Sequence, residues 1–117
     1  MESAVRVARA DRLRVTVRRG PYGCPVVEPV GEVDFSTRDQ LAEQLSLALS
    51  VGKPLLFLDL RGLTFIDSAG VHVIRRTLIR MVQGRILAVR APAHIQRIVE
   101  FLGLGDDLDF LDVLPGE

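Results

Sequence analysis

The chain has one cysteine, Cys24, and no tryptophan. A lone thiol excludes an intrachain disulfide and fits a reducing compartment. Aromatic residues make up 5% of the chain, too few to interleave with its arginines as stacking platforms for nucleic acid. The net charge is zero, so no global field draws the chain to a polyanion or an anionic membrane. No apolar run approaches the ~20 residues of a membrane span. The opening Met1-Glu2-Ser3-Ala4-Val5-Arg6 has no apolar stretch of the secretion-signal kind. The expectation is a cytoplasmic protein with neither nucleic acid nor membrane as a direct partner.

What is present reads as globular. The 117 residues are 48% hydrophobic and 26% charged, a balance that folds rather than stays disordered. The length suits one domain spanning 1–117 with a core of about 12–113, expected to be complete and to stand alone. Charge is segregated along it. From Ser68 to Val99 the ionised residues are all arginine, namely Arg75, Arg76, Arg80, Arg85, Arg90 and Arg97, and from Glu100 to Glu117 all are acidic. The helix that starts at Ser68 is therefore a candidate docking face.

Leu13, Val15 and Val17 alternate with Arg14 and Thr16, the pattern of a half-buried strand. Gly20-Pro21-Tyr22-Gly23 is a turn, and Pro25 to Val33 a second strand of an antiparallel hairpin, with an edge or bulge at Pro29. Thr37 with Gln40 three residues on forms a capping-box pattern ahead of a helix with Leu41, Leu45, Ala48 and Leu49 inward, ended by Gly52 and Pro54. Leu55 to Leu60 is apolar on both faces, as a central strand covered by helices would be. A second helix runs from Ser68 to Val82, and a strand from Arg85 to Arg90. A third helix follows Pro92, and Leu108 to Val113 forms a last strand or short helix. The order β-β-α-β-α-β-α-(β) predicts an α/β fold: a mixed sheet with an initial antiparallel hairpin, right-handed crossovers and three to four flanking helices.

The informative segment is Phe65-Ile66-Asp67-Ser68-Ala69-Gly70, where a buried strand gives way to a helix with Val71, Ile74, Leu78 and Met81 at helical spacing. Ser68 is the expected N-cap, its hydroxyl at the surface end of the helix. A phosphate there would add about −1.5 to −2 charges beside unpaired backbone N–H groups, which the helix tolerates and a docked partner does not. Asp67 is expected to orient the turn through backbone N–H groups. Asp59 is expected to cap or pair locally. Apolar positions around Val71 are candidate dimer contacts.

Enzymatic readings fare poorly. The turn lacks the glycine two before the serine of a hydrolase elbow, Ile66 standing there, and no clear carboxylate orients His72. Cys24, His72 and His94 lack zinc-ligand spacing, Asp106-Asp107-Leu108-Asp109 lacks the glycine and glutamate of a calcium loop, and Gly52-Lys53 is followed by Pro54 instead of the Ser/Thr of a phosphate loop. No cofactor, metal or small-molecule substrate is expected.

Gly31-Glu32-Val33-Asp34, Thr37, Phe57-Leu58-Asp59-Leu60, Phe65-Ile66-Asp67-Ser68-Ala69-Gly70 and Phe101-Leu102-Gly103-Leu104, in that order and spacing, resemble the STAS domain. More narrowly they resemble the bacterial anti-sigma factor antagonists, or anti-anti-sigma factors. The resemblance implies a small α/β binding domain that is not an enzyme. Unphosphorylated, it would bind an anti-sigma factor that is also a serine kinase and so release a sigma factor. Phosphorylation at Ser68 would switch binding off, and a phosphatase would reset it. Asp34 matches the family's aspartate near the phosphorylated serine. The expected partner-binding residues are Asp34, Thr37, Asp67, Ser68, Ala69, Gly70, Val71, His72 and Arg75. Two positions depart from the family pattern: Ala69 replaces a second hydroxyl, and His72 stands where glycine is common. The alternative is a STAS scaffold or transport-system component, stressosome-like or part of an ABC lipid-transport system, which binds partners without a Ser68 switch.

Overall fold

Three β-strands laid antiparallel begin the sheet. A computed structural model describes residues 6–10 and 12–117; the remaining positions of the expected 1–117 domain lie outside the described residues. β1 (Arg6–Ala10) pairs β2 (Leu13–Arg19), and β2 pairs β3 (Pro25–Val33) in a register running from Leu13↔Gly31 to Arg19↔Pro25. Leu13, Val15 and Val17 are buried, as their alternation predicts, and Pro21–Gly23 turns the chain in one 3-10 turn. β1 is additional to the expected hairpin. Arg6-Val7-Ala8-Arg9-Ala10 holds a single β-branched residue and no period-two alternation to announce a strand.

α1 (Arg38–Leu49) follows β3 and leads to β4 (Leu55–Asp59), β5 (Leu63–Ile66), α2 (Ser68–Arg80), β6 (Arg85–Val89), α3 (Ala93–Phe101) and β7 (Asp109–Leu111). The sheet order is β1-β2-β3-β4-β6-β7, with β5 beside β3 off that path. Pairing is parallel from β3 onward. β4 is central, as expected, but the strand that leads into the Ser68 helix is the separate β5.

β3 therefore serves two partners in turn. Val26 and Val27 pair with Phe57 and Leu58 of β4, and Gly31 to Val33 pair with Leu63 to Ile66 of β5. Pro29 falls between them. The N–H groups of Gly31 and Glu32 donate to Gly62 and Arg12 respectively, so odd-numbered residues of β3 point away from β2. The missing N–H of Pro29 thus faces the gap between β4 and β5 and costs no ladder bond. The register shifts at Gly31/Glu32, where Gly31 has φ 117° and a Cβ would sit 2.1 Å from the Arg12 carbonyl oxygen. Only glycine fits there.

The buried residues of all three helices join one core, with Leu41 and Leu45 from α1, Val71 and Ile74 from α2, and Ile95 and Val99 from α3 against Leu56 and Leu58 of β4. The opposite face is closed differently from the expected helical cover. Phe57 packs there with Cys24, Val26, Val89 and Leu114, so the C-terminal segment covers it. That segment is tied down by charge. Asp59, 0% exposed, accepts from Arg90 Nη2 at 2.6 Å, and Arg90 also bonds the Glu117 carboxylate, whose Oε1 accepts from the Leu114 N–H at 3.1 Å. The Arg90 hydrogen bond, followed by that from Leu114, holds the Glu117 pKa below its ordinary value.

Candidate functional site

Two junctions meet at the end of β3 and β5. Val33 pairs with Ile66, and the Asp67 backbone N–H donates to the Val33 carbonyl at 3.2 Å. The segments that follow, Asp34–Thr37 and Asp67–Ser68, are thereby set side by side. Gly70 locks the arrangement: its missing Cβ would lie 2.7 Å from both Ile66 Cγ1 and Val33 Cγ1.

The N-cap of α2 is Asp67, not Ser68. Asp67 is extended, and its Oδ1 accepts from the backbone N–H of Ala69 at 2.9 Å and of Gly70 at 3.2 Å. Both residue types cap well, and the chain uses the first of the two. Ser68 is consequently the first helical residue, with an exposed side chain. Two of the N–H groups that a phosphate could have used are already taken by the Asp67 carboxylate.

The β3–α1 junction is organised by Asp34. Its Oδ1 accepts from the N–H of Ser36 at 2.9 Å and of Thr37 at 3.2 Å, and from the Ser36 hydroxyl at 2.8 Å. Its Oδ2 accepts from Arg12 Nη1 at 2.7 Å. Arg12 also bonds Glu32 and the Ser36 hydroxyl. The Arg12 hydrogen bond, then that from Ser36, holds the Asp34 carboxyl well below the ordinary carboxylate range. Hydrogen bonds to Asp34 and then to Glu32 raise the pKa of the Arg12 guanidinium. The expected capping box does not form. Thr37 is 3% exposed; its hydroxyl donates to the Glu32 carbonyl at 2.9 Å and accepts from the Asp34 N–H at 3.0 Å.

The expected docking residues thus divide. Ser68 and His72 are exposed, and Asp34, Asp67, Ala69 and Arg75 are half-buried. Thr37, Gly70 and Val71 are buried, Val71 to 1%, so the apolar surface expected around Val71 is core. Arg75 holds α2 to the end of α3, its Nη2 donating to the Leu102 carbonyl at 2.9 Å.

The structure adds residues the sequence reading passed over. Phe35 is 70% exposed, with the Arg38 guanidinium 4.2 Å from its ring centroid, and Phe65 is 44% exposed. One phenyl belongs to each junction. The sequence signal was present, a phenylalanine directly after Asp34 and another two before Asp67. Between α1 and α2 runs a groove of about 370 Å3 whose lining includes Arg38, Asp39, His72, Arg76 and Arg80. Among the described residues no three His, Cys, Asp or Glu side chains gather as a metal site, and no helix is long and apolar enough to cross a membrane.

A family model described as Mlab, STAS domain matches residues 17–114. The chain belongs to the STAS domain family. This STAS domain is 29% identical over 87 residues, 73% of its length and 70% of the relative's, to a Bordetella bronchiseptica protein provisionally named anti-sigma factor antagonist BtrV. It is also 29% identical over 83 residues, 68% of its length and 71% of the relative's, to the anti-sigma F factor antagonist of Lysinibacillus sphaericus. Its fold matches a crystal structure of an anti-sigma factor antagonist from Mycobacterium paratuberculosis with a TM-score of 0.71 and 22% identity, over 97% of this chain and 88% of the other. It matches the unphosphorylated form of the anti-sigma factor antagonist SpoIIAA with a TM-score of 0.60 and 21% identity, over 92% and 87%. STAS anti-sigma factor antagonists are regulatory binding proteins, not enzymes.

Proposed function

We propose that this STAS domain, a single cytoplasmic domain, is an anti-sigma factor antagonist whose docking surface is centred on Ser68. The unphosphorylated form binds an anti-sigma factor that is also a serine kinase, and the sigma factor is released. Transfer of a phosphoryl group to the Ser68 hydroxyl ends the complex, and a phosphatase restores it. The observation that carries this reading is the exposed Ser68 side chain at the first position of α2, beside the Asp34 junction. A phosphate there adds about −1.5 to −2 charges next to the Asp67 and Asp34 carboxylates. Desolvating that charge in an interface without a new cation costs several kcal/mol. Phe35, Phe65 and His72 supply exposed surface on the segments that flank the two junctions, and no change of fold is needed.

The test is intact-mass spectrometry after incubation with ATP and the anti-sigma kinases of the source organism, for wild type and Ser68→Ala. One added phosphate in wild type and none in the variant supports the switch. No phosphate with any kinase removes it.

A second reading draws on the Asp67 cap and on Ala69. With two helix N–H groups already occupied and no second hydroxyl, the site is less suited to a phosphate. A STAS scaffold or transport-system component would bind its partner regardless of ATP, and its affinity would be unchanged by Ser68→Asp.

A further inference from the structure

The outward face of α3 takes no part in the site at Ser68. Its inward side is accounted for by Ile95 and Val99, which are buried in the core; His94 is exposed, its Nε2 3.0 Å from the Thr64 carbonyl oxygen. Outward, Phe101 on the last turn is 88% exposed. Beside it an open hollow of about 610 Å3 is lined by His94, Arg97, Ile98, Glu100, Phe101 and Leu102. A protruding ring and a shallow, open, mostly apolar depression share one patch.

We propose that α3 is the surface through which two copies of this chain pair about a twofold axis, helix antiparallel to helix. His94, Arg97, Ile98 and Phe101 recur at i, i+3, i+4 and i+7 and form one stripe. Read from either end, the stripe runs ring, charged and aliphatic centre, ring. Turned against itself, it sets Phe101 of each copy over His94 of the other, into the hollow beside Arg97. A twofold contact needs this self-complementarity, because the same patch serves both copies.

Charge favours the same occupant. Arg97 and Glu100, three residues apart, have opposite signs, so the antiparallel arrangement places each Arg97 within reach of the other copy's Glu100, twice over. Among the described residues the Glu100 carboxylate accepts only a 3.3 Å bond from Gln96. The chain's zero net charge puts no general repulsion between copies. An acidic or a basic partner would satisfy one member of this pair and oppose the other. The nine-residue helix is about 13 Å long at 1.5 Å per residue, too short to bury the ~800 Å2 per partner of a standard interface. The dimer is therefore weak and concentration-dependent.

Sedimentation equilibrium of the full chain across the micromolar range reads this directly. The wild-type mass is expected to rise from 12.9 kDa toward twice that value. Phe101→Asp and Arg97→Glu are each expected to weaken pairing at least tenfold, and the charge swap Arg97→Glu with Glu100→Arg to restore it. Circular-dichroism melts confirm that each variant folds; should Phe101→Asp not fold, Phe101→Ser takes its place. A wild-type mass that stays at 12.9 kDa overturns the proposal, and any partner of α3 is then another molecule. Undiminished pairing in Phe101→Asp places the contact elsewhere and overturns it too. A charge swap that fails to restore pairing overturns the antiparallel arrangement.

Discussion

The backbone N–H of Asp67 donates to the carbonyl of Val33 at 3.2 Å, across the last rung between β5 and β3. This bond joins the loop that carries Asp34 to the turn that carries Ser68. The distance between the two is thus set by sheet pairing and not by loop conformation. A partner meeting both loops meets one rigid surface.

A negative charge at position 68 is expected to act through that surface. Ser68→Asp should weaken binding to the cognate anti-sigma kinase about a hundredfold, equivalent to about 2.7 kcal/mol. The thermal midpoint should barely move, because the side chain is exposed. Isothermal titration alongside a melt separates the two effects. Unchanged affinity would favour the scaffold reading.

Removing the cap tests the reassignment of the helix start. Asp67→Ala leaves the N–H groups of Ala69 and Gly70 without their acceptor and should cost about 1 kcal/mol. Asp67→Asn keeps an acceptor and should recover most of it. Urea unfolding of the two variants reads the difference, and equal losses would contradict the capping role.

Acid should loosen the Asp34 junction. Asp34 has a folded pKa below its ordinary value of 3.8, chiefly through Arg12, so the folded state binds fewer protons than the unfolded one. Its contribution is present above 3.8 and is lost as the pH falls below it. Arg12→Met should flatten this part of the stability–pH curve. The check is a set of denaturant melts of both proteins at descending acidic pH, and parallel curves would refute it.

The Asp59–Arg90 pair predicts an asymmetric response. Asp59→Ala leaves the Arg90 guanidinium, itself mostly buried, without its main partner and should cost about 3–5 kcal/mol. Replacing both residues together by leucine and methionine should cost clearly less than that single change. Chemical denaturation of the single and double variants distinguishes the outcomes.

Which parts of this were legible in the sequence follows from local physics. Pro25–Val33 was read with its bounds intact, because apolar spacing and turn residues agree there. Leu63–Ile66 was not seen as a separate strand, since Thr64 and Phe65 are both exposed between two buried ends and period-two alternation fails. Ser68 was placed one residue off its role because Asp67 and Ser68 are both good caps and only the fold chooses. The Thr37 capping box lost to the Asp34 carboxylate, which takes the Thr37 N–H across the turn. Val71, read both as part of the apolar stripe of α2 and as a docking residue, lies in the core with Ile74, as the stripe's spacing requires. The resemblance pointed to the candidate site, while the exposure of the phenyls beside it and of the α3 face required coordinates.

In open parallel sheets the carboxyl ends of neighbouring strands usually part to form a crevice, and small ligands bind there. In this chain the corresponding ends of β4 and β6 are stoppered by the Asp59–Arg90 pair and by the bond from the Leu60 N–H to the Val89 carbonyl. β3 has meanwhile carried its own end outward to β5. The proposed docking site is thus displaced from a hollow to a knuckle. A knuckle reads nothing by enclosing it; the matching concavity has to be supplied by the molecule that grips it. Specificity among related domains would then be written mostly in their partners, with the domain presenting a shape to be recognised.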